Sequence, residues 1–216
     1  MIELLVVVAI IAILVSILMP SLGKARELAK SASCMMQMRN QMLAMTMYLE
    51  DNNQRWPGWD YGWQPFYGLG LRKADGESDP VLYCPSGIAK RLGKFGSYSA
   101  NVYIWWNYNI MEGDVMARRA FASSIARPRE TLLFVEEDEQ SLDNEHFAVN
   151  RADWWNMISN RHGRGANMSF VDLHVEYWKW EWPSTGVFVK HNQDDPGNPD
   201  LGRVYRAQCP PFMTWP

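Results

Sequence analysis

Residues 1–19 form an almost unbroken apolar run, closed by Pro20 and carrying one charge, Glu3. As an α-helix this stretch is about 28 Å long, close to the roughly 30 Å hydrocarbon core of a bilayer. It has no polar face, so it is not the surface helix of an ordinary soluble domain. A secretory signal peptide needs a basic segment ahead of the run and a small-residue cleavage site after it, and the sequence offers neither. Two readings remain. One is a plain membrane anchor. The other is a segment that waits in a bilayer and is later buried among identical helices. A lone carboxylate at the edge of hydrocarbon calls for a partner. In the second reading Glu3 finds it in a positive group, such as the terminal amine of a neighbouring copy.

Beyond Pro20 the helical pattern resumes in amphipathic form. Leu28, Met35, Met38, Met42, Met45 and Leu49 recur at spacings of three, four and seven, with Lys24, Arg26, Lys30 and Arg39 mostly off that stripe. A proline inside a long helix kinks it or loosens it locally. The two halves therefore predict one helix from about residue 2 to about residue 52, kinked near Pro20 and roughly 75 Å long. The predicted organisation is an apolar membrane or filament-core segment (1–23), an amphipathic half of the same helix (24–53) and a globular head (54–216). The methionine stripe reads as packing, since Met fills irregular gaps.

The head is read as α+β, with the helix on a small antiparallel sheet. Asp51 to Gly58 ends the helix, and Gly, Pro and aromatics then alternate to about Ser97 in a loop region without regular structure. Tyr98 to Trp106 reads as a short strand, Asp114 to Ala122 as a short helix, and Thr131 to Glu137 as the best strand in the chain. The acidic run Glu136-Glu137-Asp138-Glu139 reads as a solvated loop. Ala166–Phe170 and His174–Trp178 read as two strands joined at Val171-Asp172-Leu173. A net charge of -3 gives no electrostatic case for nucleic acid. Three cysteines at positions 34, 84 and 209 lack metal-type spacing. In an exported head they imply one disulfide and one free thiol. Cys84 and Cys209, each followed by proline, form the favoured pair, and Cys34 reads as a small buried or interfacial residue.

The segment from Ile2 to Leu14, a lone Glu ahead of a Val/Ile/Ala/Leu run, closely resembles the N-terminal segment of type IV pilins and of the pseudopilins of type II secretion. His162, with Asp172 after nine intervening residues and His174 beyond it, resembles a C-terminal signature of bacterial pilin-like proteins, in which the Asp is followed by Gly. Here Leu173 stands at that place, so either the turn differs or Asp172 takes the left-handed position. Ser33-Cys34, Arg55-Trp56-Pro57, Tyr83-Cys84-Pro85-Ser86 and Ser97 to Asn101 match further landmarks. The sequence carries neither the family's basic leader nor its Gly-Phe cleavage site, so a different start or different processing is expected.

The resemblance implies a non-catalytic structural subunit, held in the bacterial inner membrane and then assembled into a periplasmic or extracellular helical filament of identical copies. It implies a prepilin peptidase and an assembly machinery as partners. Glu3 would set subunit register, and Leu4, Leu5, Val8, Ile11, Leu14 and Pro20 would lie in the filament core. Some pseudopilins hold Ca²⁺ in a C-terminal loop, which makes Asp194, Asp195 and Asp200 its candidates here; no other cofactor is expected. His162, Asp172 and His174 read as a structural turn. A metal site assembled from those three with Glu136 and Glu137 is the other reading. A carbohydrate-binding module stacking sugars on Trp154, Trp155, Trp178, Trp180 and Trp182 is the alternative function, and it requires exposed, coplanar rings.

Overall fold

The computed structural model describes residues 2–56, 66, 69–71, 78–105 and 125–208. The predicted helix at 114–122, Cys209, and most of the aromatics between 59 and 67 lie outside the described residues.

Helix α1 (Ile2–Asp51) is one 50-residue element with Pro20 inside it. It divides by burial. From Glu3 to Arg26 every residue is exposed, and this front is long and apolar enough to cross a membrane. From Ser31 onward one face is covered: Ser31, Cys34, Met38, Met42 and Met45 are buried. The covered stripe starts later than predicted, because Leu28 is exposed and Met35 only half-buried. Cys34, in phase with Met38 and Met42, leads it instead.

That face lies on a mixed sheet. Among the described residues the sheet contains β1 (Tyr98–Asn101), β2 (Leu132–Glu136), β3 (His146–Phe147), β5 (Gly165–Phe170) and β6 (Val175–Lys179), in the order β3-β1-β2-β5-β6. Strands β4 (Asp153–Trp154) and β7 (Gln193–Asp194) form a separate ribbon. The α+β class is as predicted. The sheet is not wholly antiparallel, because β3 runs parallel to β1. Both predicted strands around the Asp172 turn are present as β5 and β6, paired from Gly165↔Lys179 to Ser169↔Val175. Leu173 itself takes the left-handed conformation, with φ 74°. The expected strand at Tyr98 stops at Asn101, where a helical turn, Val102–Trp105, begins.

Two apolar layers sandwich the sheet. The first, under α1, joins Met38 and Met42 to Phe66, Tyr98, Leu133 and Phe134. The second, on the far side, joins Leu132, Val135, Met168 and Trp178 to Leu201 and Val204 of the C-terminal helix Pro199–Gln208. Neighbours Leu133 and Phe134 face the same layer because the β2–β5 register shifts between Leu132 and Val135, as a bulge requires.

Polar groups also lock α1 to the head. Tyr98 donates its hydroxyl to Gln37 Oε1 at 2.8 Å, Gln41 donates to the Val81 carbonyl at 3.0 Å, and Ser86 donates to Glu27 Oε2 at 3.1 Å.

This division predicts two outcomes. Phe134, fully buried and stacked on Phe66 at 5.3 Å between ring centroids, should cost about 3–5 kcal/mol when changed to Ala. Ile10→Ala, on the exposed front, should shift the head's stability by less than about 0.5 kcal/mol. Denaturant unfolding of the detergent-solubilised chain, followed by tryptophan fluorescence, measures both.

Candidate functional site

The landmarks scattered along the sequence converge beneath α1. Cys34, on the buried stripe of α1, forms a disulfide with Cys84 across 50 residues of chain, with Cα atoms 5.4 Å apart. The predicted Cys84–Cys209 pair is therefore corrected. Cys34 belongs to the face that α1 presents to the head, and the Tyr83-Cys84-Pro85 loop packs against that face. Cys84 Sγ lies 3.4 Å from His162 Nε2, and the same nitrogen lies 3.3 Å from Glu136 Oε1. The four side chains come from α1, the loop after Leu82, the end of β2 and the turn before β5. The His162 and Glu136 side chains have no exposure, Cys34 has none and Cys84 almost none.

His162 reaches this place through an unusual backbone. It has φ 59°, Gly163 φ 82° and Arg164 φ 68°, three consecutive residues in the left-handed region that L side chains rarely adopt. Such conformations persist where the surroundings over-determine them, and they cluster at functional sites. Here Tyr177 donates its hydroxyl to the His162 carbonyl at 2.8 Å. Gly165 lets β6 come close: a Cβ there would run into the Trp178 carbonyl and the Tyr177 hydroxyl. His162 Nδ1 is buried without a hydrogen-bond partner among the described residues, so Nε2 is the nitrogen that the fold puts to use.

Glu136 is held from several sides. Asn167 donates its backbone N–H to Oε2 and its side-chain amide to Oε1, both at 3.0 Å. Burial by itself would raise the carboxyl's pKa. The His162 hydrogen bond, the Arg161 guanidinium and the Asn167 backbone outweigh it and hold the group below the usual carboxylate range. Asn167 also meets α1, accepting from Ser31 Oγ and donating to the Ser31 carbonyl, each at 3.4 Å.

The acidic run is not a solvated loop. Glu136, Glu137 and Glu139 are all buried. Glu139 pairs with Arg161, whose other guanidinium nitrogen donates to the Ser97 and Glu137 carbonyls at 3.2 Å. Glu137 points elsewhere, accepting from Ser99, Ser141 and Asn156. Burial pushes its carboxyl up to about 8.

The other candidates sit apart. Asp172 and His174 pair with each other at the far end of β5. Asp172 accepts from the His174 backbone N–H at 3.3 Å, and the His174 ring stacks on Phe170 at 4.3 Å. The nine residues between His162 and Asp172 contain a whole strand, about 20 Å long, so the two share no turn. Asp195 is occupied by Ser184, Asn198 and Trp154. Asp200 is occupied by the Glu181 and Trp182 backbone N–H groups and by Thr185. Asp194 is exposed in β7. Among the described residues these aspartates do not converge on a point, whereas Cys34, Cys84, Glu136 and His162 bring their donor atoms within 4.8 Å of one another. Trp154, Trp178 and Trp180 are buried in the second layer and Trp155 is half-buried. This removes the exposed platform that the carbohydrate reading required, leaving Trp182 as an isolated exposed ring at 42%. Sequence reasoning missed Arg161 and Asn167. The metal reading of the sequence already joins His162 with Glu136, and the phase of Cys34 on the methionine stripe is the further signal for the cluster.

In the disulfide-bonded protein the sign of the pH dependence follows from two buried groups. The folded chain keeps a proton on Glu137 that the unfolded chain releases above 4.5. This contribution is full below 4.5 and lost as pH rises to about 8. Burial lowers His146 from 6.5 to about 4, so its contribution is full above 6.5 and lost as pH falls to about 4. The two oppose each other between 4.5 and 6.5, leaving a net loss between 6.5 and about 8. Glu137→Gln should flatten that alkaline limb, read as the guanidinium midpoint against pH. A separate variant, Arg161→Ala, leaves Glu139 buried and unpaired and should cost about 3–5 kcal/mol in the same measurement.

Comparison of the chain with family models, with curated proteins and with solved structures finds no match.

Proposed function

We propose that this chain is a structural subunit of a pilin-like or pseudopilin-like filament, membrane-held through the front of α1 before assembly and gathered afterwards into a helical array of copies. The observation that carries the reading is the contrast along one helix. Its rear is fixed to the head by packing, hydrogen bonds and a disulfide, while its front leaves Leu4, Leu5, Val8, Ile11 and Leu14 uncovered at 53–71% exposure. A chain built this way needs an apolar environment for the front, and lipid and a bundle of sister helices are the two that suit it. Leaving lipid gives up apolar burial that helix packing in the bundle replaces. Heterologous, non-closing contacts between copies generate a helical filament.

Glu3 has a specific place in this scheme. It is exposed near the start of α1, where a carboxylate in an apolar bundle demands a positive partner. Pairing with the terminal amine of a neighbour fixes how far each subunit is inserted. The head in this reading performs no catalysis. Its buried cluster fastens the helix, and an inner-membrane stage followed by a periplasmic or extracellular filament fits an exported, disulfide-bonded head.

The test is electron microscopy after detergent removal. Wild-type chain should give fibres of uniform width. Glu3→Ala should give none, or irregular ones, while the head's unfolding midpoint stays unchanged. Regular fibres from Glu3→Ala, or only isolated particles from the wild type under every condition tried, would sink the reading.

A further inference from the structure

The geometry beneath α1 points to a zinc site: we infer that Cys34, Cys84, His162 and Glu136 bind one Zn²⁺ when the two cysteines are thiols. The disulfide is the metal-free, oxidised form of the same four donors. This stands whether or not the chain assembles into filaments.

Distances support it first. In a tetrahedral zinc centre with ordinary bond lengths, a sulfur and a nitrogen ligand stand about 3.6 Å apart, and a nitrogen and an oxygen about 3.4 Å. Cys84 Sγ and His162 Nε2 are 3.4 Å apart, and His162 Nε2 and Glu136 Oε1 are 3.3 Å apart. Two edges of the tetrahedron are thus already set. The third requirement is that the two sulfurs, once unbonded, part to about 3.8 Å.

Donor chemistry supports it next. Two thiolates, an imidazole and a carboxylate form a soft-to-borderline set that selects zinc over the hard cations Ca²⁺ and Mg²⁺. All four ligands come from the protein and are buried, leaving no open position. That is the character of a structural site rather than a catalytic one. With Zn²⁺ bound, two thiolates and the Glu136 carboxylate leave one net negative charge. Arg161 is already paired with Glu139, so that charge is met by the two Asn167 N–H donors on Glu136.

The carboxylate side of the site has the outer support that a metal ligand needs, although His162 Nδ1 has no partner among the described residues. Asn167 fixes both carboxylate oxygens of Glu136, the outer support that orients a ligand and tunes its affinity. The left-handed turn at His162, held by Tyr177, aims Nε2 at Cys84 and Glu136. An ordinary histidine–glutamate hydrogen bond does not require three successive left-handed residues.

The chemistry balances without an oxidant. A newly made chain carries Cys34 and Cys84 as thiols. Zn²⁺ binding forms two Zn–S bonds and releases the two thiol protons to solvent, with no change of oxidation state. Starting from the disulfide, a phosphine reductant and one water give two thiols and the phosphine oxide, after which the metal binds in the same way.

The experiment uses the full chain in detergent micelles, treated anaerobically with a phosphine reductant and titrated with Co²⁺ as a spectroscopic stand-in for Zn²⁺. Reduced wild type should take up one equivalent of Co²⁺, with thiolate-to-cobalt charge-transfer absorption and the strong visible bands of tetrahedral cobalt. Zn²⁺ should bleach both, and the thermal midpoint should rise with metal. The disulfide form should show none of these changes. Cys34→Ser should weaken the charge-transfer band, and His162→Gln should lose the tetrahedral bands. Asn167→Ala, which touches no metal, should weaken affinity about 10- to 100-fold. Absence of charge-transfer absorption in reduced wild type would overturn the proposal, and so would equal metal binding by the disulfide form or an unchanged affinity in both His162→Gln and Asn167→Ala. Because wild type is itself the first measurement, a variant that fails to fold leaves the test intact. Fibre formation plays no part in the readout, so failure here and failure of the filament reading are separate results.

Discussion

A carboxylate with no access to water must be held, and the way Glu136 is held determines how α1 lies on the sheet. Its partners come from the turn before β5, from β5 itself and from Arg161. Asn167, which grips it, also grips Ser31 on α1. An uncompensated buried charge costs several kcal/mol, so sliding or rotating the helix away from this point would expose a chain of unsatisfied groups as well as an apolar stripe. The attachment is therefore fixed in register by polar groups and made strong by Met38, Met42 and Met45. Apolar contact is non-directional and could not define a single register alone.

That anchoring gives the two halves of α1 their different characters. A helix free in water at both ends would gather its exposed leucines and valines against whatever apolar surface it met. With its rear fixed, the front projects in one direction with all of its faces uncovered. The rear half is thus the constraint that gives a fixed direction to the front half, which is long and apolar enough to cross a membrane. The charge run Glu136 to Glu139 belongs to the same argument, because it supplies the groups around which the attachment is built.

Much of this was legible in the sequence, for physical reasons. The unbroken apolar run declares a helix by its length, and the stripe beyond it does so by its spacing, which short-range reading detects well. The hairpin β5–β6 announced itself through strand-forming residues on either side of Asp172. Three features were hidden. The acidic run looks like a solvated loop because its compensating partners, Arg161, His162 and Asn167, lie more than twenty residues downstream, and no local pattern connects them. The Cys34–Cys84 bond was obscured by proline contexts that made Cys209 look like the better partner, although the helical phase of Cys34 already placed it on the covered face. The separation of His162 from Asp172 follows from counting: nine residues are long enough to hold a complete strand, and a strand carries its two ends apart.

The position of the cluster says what a bond or a metal there can accomplish. Cys34 lies near the point where α1 first becomes covered, three residues beyond Ser31. Apart from the Glu27–Ser86 hydrogen bond about two turns ahead, a force on the exposed front is therefore delivered to the head first at this point. Packed methionines resist such a load one side chain at a time, whereas a covalent bond, or four metal–ligand bonds shared among α1, the Cys84 loop, β2 and the His162 turn, resists it all at once. Placing the strongest cross-link at the end of the attachment nearest the load prevents the helix from peeling off the sheet turn by turn. The strained backbone at His162 is consistent with that role, since a left-handed turn held by Tyr177 and Gly165 keeps the imidazole in place without help from the helix it secures.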